Sequence, residues 1–346
     1  MIGTDFRLSE FQKRLETDAA MLENPVDLFY ITGLNLSRGV LLVTKEDATL
    51  FVDGRYFAKA QKIAPCTVRL LAGNYLIDWL EARPIRTVEF DAEWTAVARH
   101  EALKQEAKSV FFKPCLGLLK AQRMIKNGEE LISLRRAASV TFAGFKYIES
   151  LLKEGVTEEE LAMEFEFFVR KAGASALSFS PIIAFGENSA YPHYRAGKST
   201  LTLGQIVLID VGAIVDDYAG DLTRVIFFGP PDAQLEVMLE LTKKAQQKAF
   251  EAARPGATFG ELDLAARSVY VEAGVEPLFT HSLGHGIGLQ THEYPSIKAT
   301  GSDRDIKLAA GMVFTIEPGL YRPGLGGVRW EDVVVVTKNG CERLIC

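Results

Sequence analysis

The sequence predicts two domains of different class: a smaller N-terminal α/β domain over 1–123 and an α+β domain over 124–346. Three observations carry this. The length of 346 residues is about two average domains. Short β-rich runs alternate with helical stretches in the first part. Long helical patterns gather around antiparallel hairpins in the second.

In chain order, residues 5–23 carry an amphipathic helical pattern. β-rich runs follow at 28–32, 39–44, 49–53, 67–71, 87–90 and 109–112, with helical stretches near 55–63, 75–82 and 95–107. This alternation predicts a mixed sheet with helices. The segment Lys113-Pro-Cys-Leu-Gly117 breaks the pattern and is expected at the boundary between the domains. Between Glu129 and Lys153, apolar residues recur at Leu131, Leu134, Ala138, Phe142, Phe145, Ile148 and Leu152, a helical period. Thr157 with Glu160, and Thr258 with Glu261, are Thr-x-x-Glu capping boxes that start two further helices. Strands are expected at 178–185, 205–215, 218–228, 312–321 and 327–336.

Composition narrows the function. Lys and Arg number 39 and Asp and Glu 45, a net charge of −6. An acidic chain without long basic runs is unsuited to nucleic acid, whose binding depends on clustered Lys and Arg. No apolar stretch reaches the ~18 residues of a membrane span. The start, Met1-Ile-Gly-Thr-Asp-Phe-Arg7, lacks the charged and apolar regions of a signal peptide. Cys66, Cys115, Cys341 and Cys346 have neither CxxC spacing nor the density of a disulfide scaffold, so free thiols and a cytoplasmic location are expected. Of the 5 histidines, four (His193, His281, His285 and His292) fall within one stretch of the chain.

The chemistry lies in carboxylates set inside apolar strands. Asp210 stands in Ile206-Val-Leu-Ile-Asp210-Val-Gly-Ala-Ile-Val215, where an unpaired charge is costly, and Asp221 follows in Tyr218-Ala-Gly-Asp221-Leu-Thr-Arg224. A hairpin turning at Val215-Asp216 would set Asp210 directly opposite Asp221. A second hairpin repeats the arrangement: pairing Tyr321 with Gly327 sets Glu317 opposite Glu331. Facing carboxylates either share a proton or hold a cation. Any one of these acids alone reads as a turn residue bonded to backbone amides; four in matched hairpins do not.

The run His281-Ser-Leu-Gly-His285-Gly-Ile-Gly-Leu-Gln-Thr-His292 has too many glycines for a zinc helix and lacks both GxGxxG spacing and a P-loop lysine. A strand or extended loop presenting several imidazoles is expected instead. Oxygen-rich ligands with one or two imidazoles suit Mn, Co or Fe, with Zn as an alternative. Four carboxylates balance two dications, and a pair of ions roughly 3.5–4 Å apart can hold a bridging hydroxide and polarise a carbonyl. That is hydrolytic chemistry.

These segments, with Asp210-Val-Gly212, Glu317-Pro-Gly319 and Gly327-Val-Arg-Trp-Glu331-Asp332, closely resemble the pita-bread metallopeptidase family. Its members include methionine aminopeptidase, aminopeptidase P, prolidase and creatinase. The stretch Asn24-Pro-Val-Asp-Leu-Phe-Tyr-Ile-Thr-Gly33 resembles the family's N-terminal domain less specifically. The resemblance implies a pita-bread catalytic domain and two divalent metal ions, Mn(2+) first, with Co(2+) or Zn(2+) as alternatives. By motif, Asp210 resembles a ligand of one metal, His285 and Glu317 ligands of the other, and Asp221 and Glu331 bridges. His292 would stabilise the developing oxyanion, and Glu317 would also accept a proton from the attacking water. His193 and His281 resemble substrate-positioning histidines, and Arg329 would orient a carboxylate ligand or contact substrate.

The N-terminal domain argues against methionine aminopeptidase, and the five ligand positions argue against creatinase and against a non-catalytic peptide-binding or scaffolding relative. Xaa-Pro aminopeptidase is preferred, with prolidase (Xaa-Pro dipeptidase) as the alternative. The implied substrate is a peptide with proline at the second position, and the implied assembly a homodimer.

Overall fold

The computed structural model describes residues 4–345, so Met1 to Gly3 and Cys346 lie outside the described residues. The chain divides into two units, one ending at Gln122 and the other beginning at Arg123. In the first, helix α1 (Thr4–Arg14) leads into strand β1 (Ala19–Leu22) and helix α2 (Pro25–Thr32). Then come β2 (Gly39–Val43), β3 (Ala48–Val52), α3 (Gly54–Ile63), β4 (Thr67–Leu70) and α4 (Tyr75–Glu81). The unit continues through β5 (Thr87–Asp91), α5 (Val97–Glu106) and β6 (Phe111–Cys115) to α6 (Lys120–Met124), which spans the division. The strands form one sheet in the order β4-β3-β2-β1-β5-β6. It is mixed, as expected, with β2 antiparallel to both of its neighbours and the other pairs parallel.

Three expectations for this unit are corrected. The helical pattern over 5–23 ends at Arg14, because 19–22 is a strand whose residues are all buried. A short strand buried on both faces is a continuous apolar run, which periodicity cannot tell from a buried helix. The β-rich run at 28–32 is helical. Asn24 caps it by accepting from the Val26 N–H, Pro25 opens it, and Gly33 closes it with φ of 69°. Such caps, each worth about 1 kcal/mol, override the weak β preference of Leu28, Phe29 and Ile31. Finally, Lys113 and Pro114 belong to strand β6 rather than to a linker. The sheet edge tolerates a proline, which has no N–H to give.

The second unit opens with α7 (Gly128–Ser150) and α8 (Glu158–Lys171). The expected box at Thr157 and Glu160 starts α8, and Asn127 with Glu130 makes a box for α7. Next are β7 (Ala176–Leu177), β8 (Ile182–Phe185), β9 (Gln205–Val211), β10 (Ala213–Val215), β11 (Tyr218–Ala219) and β12 (Leu222–Phe228). The strand expected over 178–185 is therefore confined to its last four residues. Helices α9 (Ala233–Ala252) and α10 (Phe259–Glu272) follow, α10 capped by the expected Thr258–Glu261 box. The chain ends in β13 (Gly284–Gly286), β14 (Glu293–Ile297), β15 (Val313–Ile316), β16 (Gly319–Arg322), β17 (Gly326–Arg329), β18 (Asp332–Val336) and β19 (Cys341–Arg343).

Here β8, β9 and β12 form one small sheet and β7, β10 and β11 another. Strands β13, β14, β15, β18 and β19 form a larger one, and β16 pairs with β17. Leu235, Met238 and Leu239 of α9 and Phe259 and Leu262 of α10 share a core with Phe314 and Val334 of the larger sheet. Phe145 of α7 and Phe165 of α8 pack with Val207 and Ile209 of β9 in a second core. Among the described residues, no helix is long and apolar enough to cross a membrane. Cys66, Cys115 and Cys341 are free thiols, while the expectation for Cys346 lies outside the described residues.

Candidate metal centre

Two hairpins carry the four acids. In the first, Asp210 faces Thr223 rather than Asp221, and Val211 faces Leu222. Continuing that register places Asp221 across from Gly212, so the expected direct pairing is wrong by two residues. The cause is the turn. Asp216 and Asp217 both take positive φ, 50° and 66°, and form a two-residue loop between the paired Val215 and Tyr218. Two consecutive left-handed residues are what a tight hairpin with twisted strands requires, and Asp tolerates them better than most residues. A slip of two preserves parity, so Asp210 and Asp221 become diagonal neighbours on the same face.

The second hairpin has the expected register. Tyr321 faces Gly327, Ile316 faces Asp332, and the same numbering carries Glu317 across to Glu331. Both ladders are interrupted at the acids. Gly220-Asp221, Glu317-Pro318 and Trp330-Glu331 lie outside the strands, and each hairpin passes there from one sheet to another. Glycines flanking the third contributor serve close packing, not a phosphate loop. A Cβ on Gly284 would strike the Thr315 carbonyl, and one on Gly286 the Tyr294 carbonyl. His285 is thereby drawn against β15.

The five expected ligand residues converge. His285 Nε2 lies 3.3 Å from Glu317 Oε1 and 3.7 Å from Asp221 Oδ2. Ligand atoms of Asp221, His285 and Glu331 all fall within 4.8 Å of one another. Burial, together with repulsion from Asp210 and Glu317, holds the Asp221 carboxyl well above its usual range. Burial and repulsion from Asp221, Glu317 and Asp210 do the same to Glu331. Glu317 is pushed up to about 8 by burial, with Asp210 adding to the shift and Arg329 opposing it. His285 is lowered to about 3, by burial first and His292 second, which keeps its imidazole neutral.

The donor chemistry fits divalent cations. His285 Nδ1 bonds the Gly286 carbonyl at 3.1 Å, so it carries the proton and leaves Nε2 a lone pair aimed at carboxylate oxygens. Acceptors facing acceptors at these distances need a proton or a cation between them. Two further oxygens, Asp210 Oδ1 and Glu331 Oε1, are buried without a hydrogen-bond partner. Native structures rarely leave such atoms unsatisfied unless an ion or water takes them.

Around the acids stands a shell of donors. Thr223 gives its hydroxyl hydrogen to Glu331 Oε2 at 2.6 Å, and Thr315 gives its own to Glu317 Oε1 at 3.2 Å. Arg329, 3% exposed, donates from Nη2 to Asp210 Oδ2 at 2.5 Å, from Nη1 to the Tyr321 hydroxyl at 2.7 Å and from Nε to Thr223 at 3.2 Å. Arg329 is thus buried with donors spent on Asp210, Tyr321 and Thr223. His281 is similarly engaged. Its Nδ1 bonds the Ser282 carbonyl at 2.8 Å and its Nε2 accepts from Tyr321 at 2.9 Å, and burial lowers it to about 4.

His292 is exposed, with its ring centroid 4.0 Å from that of His285. Burial of part of the ring and nearby His193 lower its pKa. His193, also exposed, acts electrostatically on both His281 and His292 and so stands at the same mouth.

Sequence reasoning missed the supporting residues. Thr223 and Thr315 each lie two positions from an acid in chain order, the spacing that puts side chains on one strand face, and that signal was readable. Glu293 was not readable. It takes Arg123 at 2.6 Å and Lys126 at 2.8 Å and so anchors the residue next to His292. Burial alone would raise its pKa, but the two cations outweigh it and hold it low.

Comparison with known proteins agrees with this geometry. Residues 133–338 match metallopeptidase family M24, and residues 7–125 match the creatinase/prolidase N-terminal domain. The chain is 34% identical over 340 residues to the Xaa-Pro dipeptidase of Pyrococcus horikoshii, covering 98% of this chain and 95% of that one. A solved Xaa-Pro dipeptidase from Bacillus anthracis superposes with a TM-score of 0.92 at 33% identity, covering 99% of this chain and 96% of that one. An X-Pro aminopeptidase from Thermotoga maritima superposes at 0.88 with 30% identity, covering 97% of each chain. The paired-hairpin acids, the neutral imidazole among them and these likenesses over nearly the whole length make the chain a metallopeptidase of family M24, with a pita-bread catalytic domain behind a creatinase/prolidase N-terminal domain.

Proposed function

We propose that the chain is an Xaa-Pro dipeptidase that hydrolyses the bond between an N-terminal residue and a following C-terminal proline. One observation carries the chemistry: three buried acids, the part-buried Glu317 and a neutral imidazole come together with two carboxylate oxygens left unpartnered. Likeness to the Pyrococcus horikoshii and Pyrococcus furiosus Xaa-Pro dipeptidases, 34% identical across 98% of this chain in both cases, supports the dipeptidase over the aminopeptidase preferred from the sequence, between which the motifs do not divide. Xaa-Pro aminopeptidase remains the second reading, favoured by the likeness to the Thermotoga maritima structure.

In this reading Asp210, Asp221, His285, Glu317 and Glu331 hold two divalent ions, Mn(2+) first, with Co(2+) or Zn(2+) as alternatives. When bound, the ions supply Lewis-acid activation of water and of the scissile carbonyl. Glu317 takes the proton released by the attacking water and passes it to the departing proline nitrogen. His292, at the mouth above His285, donates to the oxygen on which negative charge develops. His193 beside it positions the peptide. His281 reaches the site through Tyr321 and Arg329, since both of its ring nitrogens are taken. The free thiols support a cytoplasmic location, and the family resemblance supports a homodimer.

The reading is tested by comparing an Xaa-Pro dipeptide with an Xaa-Pro-Xaa tripeptide in Mn(2+). Dipeptide cleavage should lead by about a hundredfold in kcat/KM. Equal or faster tripeptide cleavage would move the assignment to the aminopeptidase. Arg329→Lys tests the orienting role, because a lysine cannot span Asp210, Tyr321 and Thr223 together. Metal affinity measured by titration should fall about 10- to 100-fold. Unchanged affinity would assign Arg329 elsewhere.

A further inference from the structure

A buried carboxylate, that of Glu158, stands outside the metal centre. Glu158 is the first residue of α8 and is 0% exposed. Among the described residues no cationic side chain pairs with it; four hydrogen-bond donors surround it instead. Oε1 accepts from the Phe185 N–H at 2.8 Å and from Asn188 Nδ2 at 2.9 Å. Oε2 accepts from the Tyr194 hydroxyl at 2.9 Å and from the Gly197 N–H at 3.1 Å. Its place at a helix start adds the favourable end of the helix dipole.

These donors span a single connection, residues 185–197, which leaves the end of β8 through a 3-10 turn at Gly186–Ala190. The backbone strengthens the same grip, with the Glu159 N–H bonded to the Gly197 carbonyl at 2.9 Å and the Glu158 N–H to the Ser199 carbonyl at 3.2 Å. On its opposite side the loop meets the second hairpin. The Gly327 N–H donates to Ser189 Oγ at 2.8 Å, and Arg329 Nη1 approaches the Pro192 carbonyl at 3.5 Å. Between these anchors stands His193, next to Tyr194. His193 itself lies in the irregular stretch beyond the 3-10 turn of Gly186–Ala190, exposed and held by no regular element. One side chain accepting from residues 185, 188, 194 and 197 ties that stretch down.

We infer that Glu158 is a positioning residue for substrate: its carboxylate closes the 185–197 loop and thereby fixes His193 over the metal centre. A carboxyl side chain suits the task, because both of its oxygens accept here, whereas an amide of the same shape would turn N–H donors toward groups that also donate. The inference rests on the peptidase reading for what His193 does, but the clamp itself can be measured separately.

The test uses the full chain with Mn(2+) and compares wild type with Glu158→Gln, His193→Ala and the double variant on an Xaa-Pro dipeptide. Glu158→Gln should keep the wild-type metal content and lose about tenfold in kcat/KM, mostly through KM. The double variant should be no worse than His193→Ala, because the clamp acts only through that histidine. Hydrogen exchange at 185–197 should quicken in Glu158→Gln. Multiplying effects, lost metal or unchanged exchange would each overturn the inference. Should Glu158→Gln fail to fold, Tyr194→Phe removes one donor and should give a smaller change of the same sign, with an unchanged KM counting against the clamp. If wild type cleaves neither dipeptide nor tripeptide, the peptidase reading fails, and the exchange measurement then decides the clamp alone.

Discussion

Glu331→Gln should abolish activity and metal binding, yet melt higher than wild type when both are held in EDTA. The carboxylate is buried beside Asp221, Glu317 and Asp210, and only one of its oxygens has a partner. Glutamine in its place removes a proposed metal ligand and, with it, the cost of a buried carboxyl whose ionisation is opposed by burial and by its acidic neighbours. Relief of one unsatisfied buried group is worth about 1–3 kcal/mol, or roughly 2–4 °C for each kcal/mol in a unit of this size. The pH dependence follows the same logic. Glu317 has a folded value pushed up to about 8 against an ordinary 4.5, so the metal-free folded state keeps its proton over a range where the unfolded chain has lost it. Its stability therefore falls as pH rises from 4.5 through about 8. Metal binding demands the ionised carboxylates and reverses this trend. The difference in Tm between metal-loaded and EDTA-treated protein should widen from about pH 5 to about pH 8. A gap that stays constant, or an EDTA-treated variant that melts lower than wild type, would contradict the crowded-carboxylate account.

His292→Ala should retain full metal content and lose about 10²–10³ in kcat. The ring lies over His285 but is exposed and outside the group of converging ligand atoms. Its lowered pKa keeps it a neutral N–H donor, suited to an oxygen that gains charge only as the reaction proceeds. Stability should change by less than about 0.5 kcal/mol, as for other exposed positions. Metal analysis beside steady-state kinetics separates the roles: loss of an ion would make His292 a ligand, and a small kcat effect would remove it from charge stabilisation.

Much of the site was legible because strand geometry is periodic. Acids embedded in Ile206–Asp210 and Met312–Glu317 stand out against their apolar neighbours, and a period of two says which residues share a face. The register at Glu317 and Glu331 followed from one evident turn, Arg322-Pro-Gly-Leu-Gly326. The register at Asp210 did not, because Asp216-Asp217 does not announce that both residues will turn left-handed. In the first unit, the signals for α2 were present in Asn24, Pro25 and Gly33 but were outweighed by the apolar run between them. No local signal distinguished Ala19–Leu22 from the end of a helix, since burial on both sides erases periodicity.

By itself the sequence determined the chemical inventory: two apolar hairpins bearing four acids, a glycine-flanked His285, and a family likeness spread along the chain. Local covalent rules suffice for that, because side-chain parity and turn residues act over a few positions. Only the tertiary structure decided how the inventory is used. It placed Arg329 against Asp210, 119 positions apart, and closed the His193 loop on Glu158. It also left two carboxylate oxygens without partners. Those outcomes depend on which buried groups find each other after the chain packs. Such pairing is set by desolvation and shape across the whole core, and no short stretch of sequence encodes it.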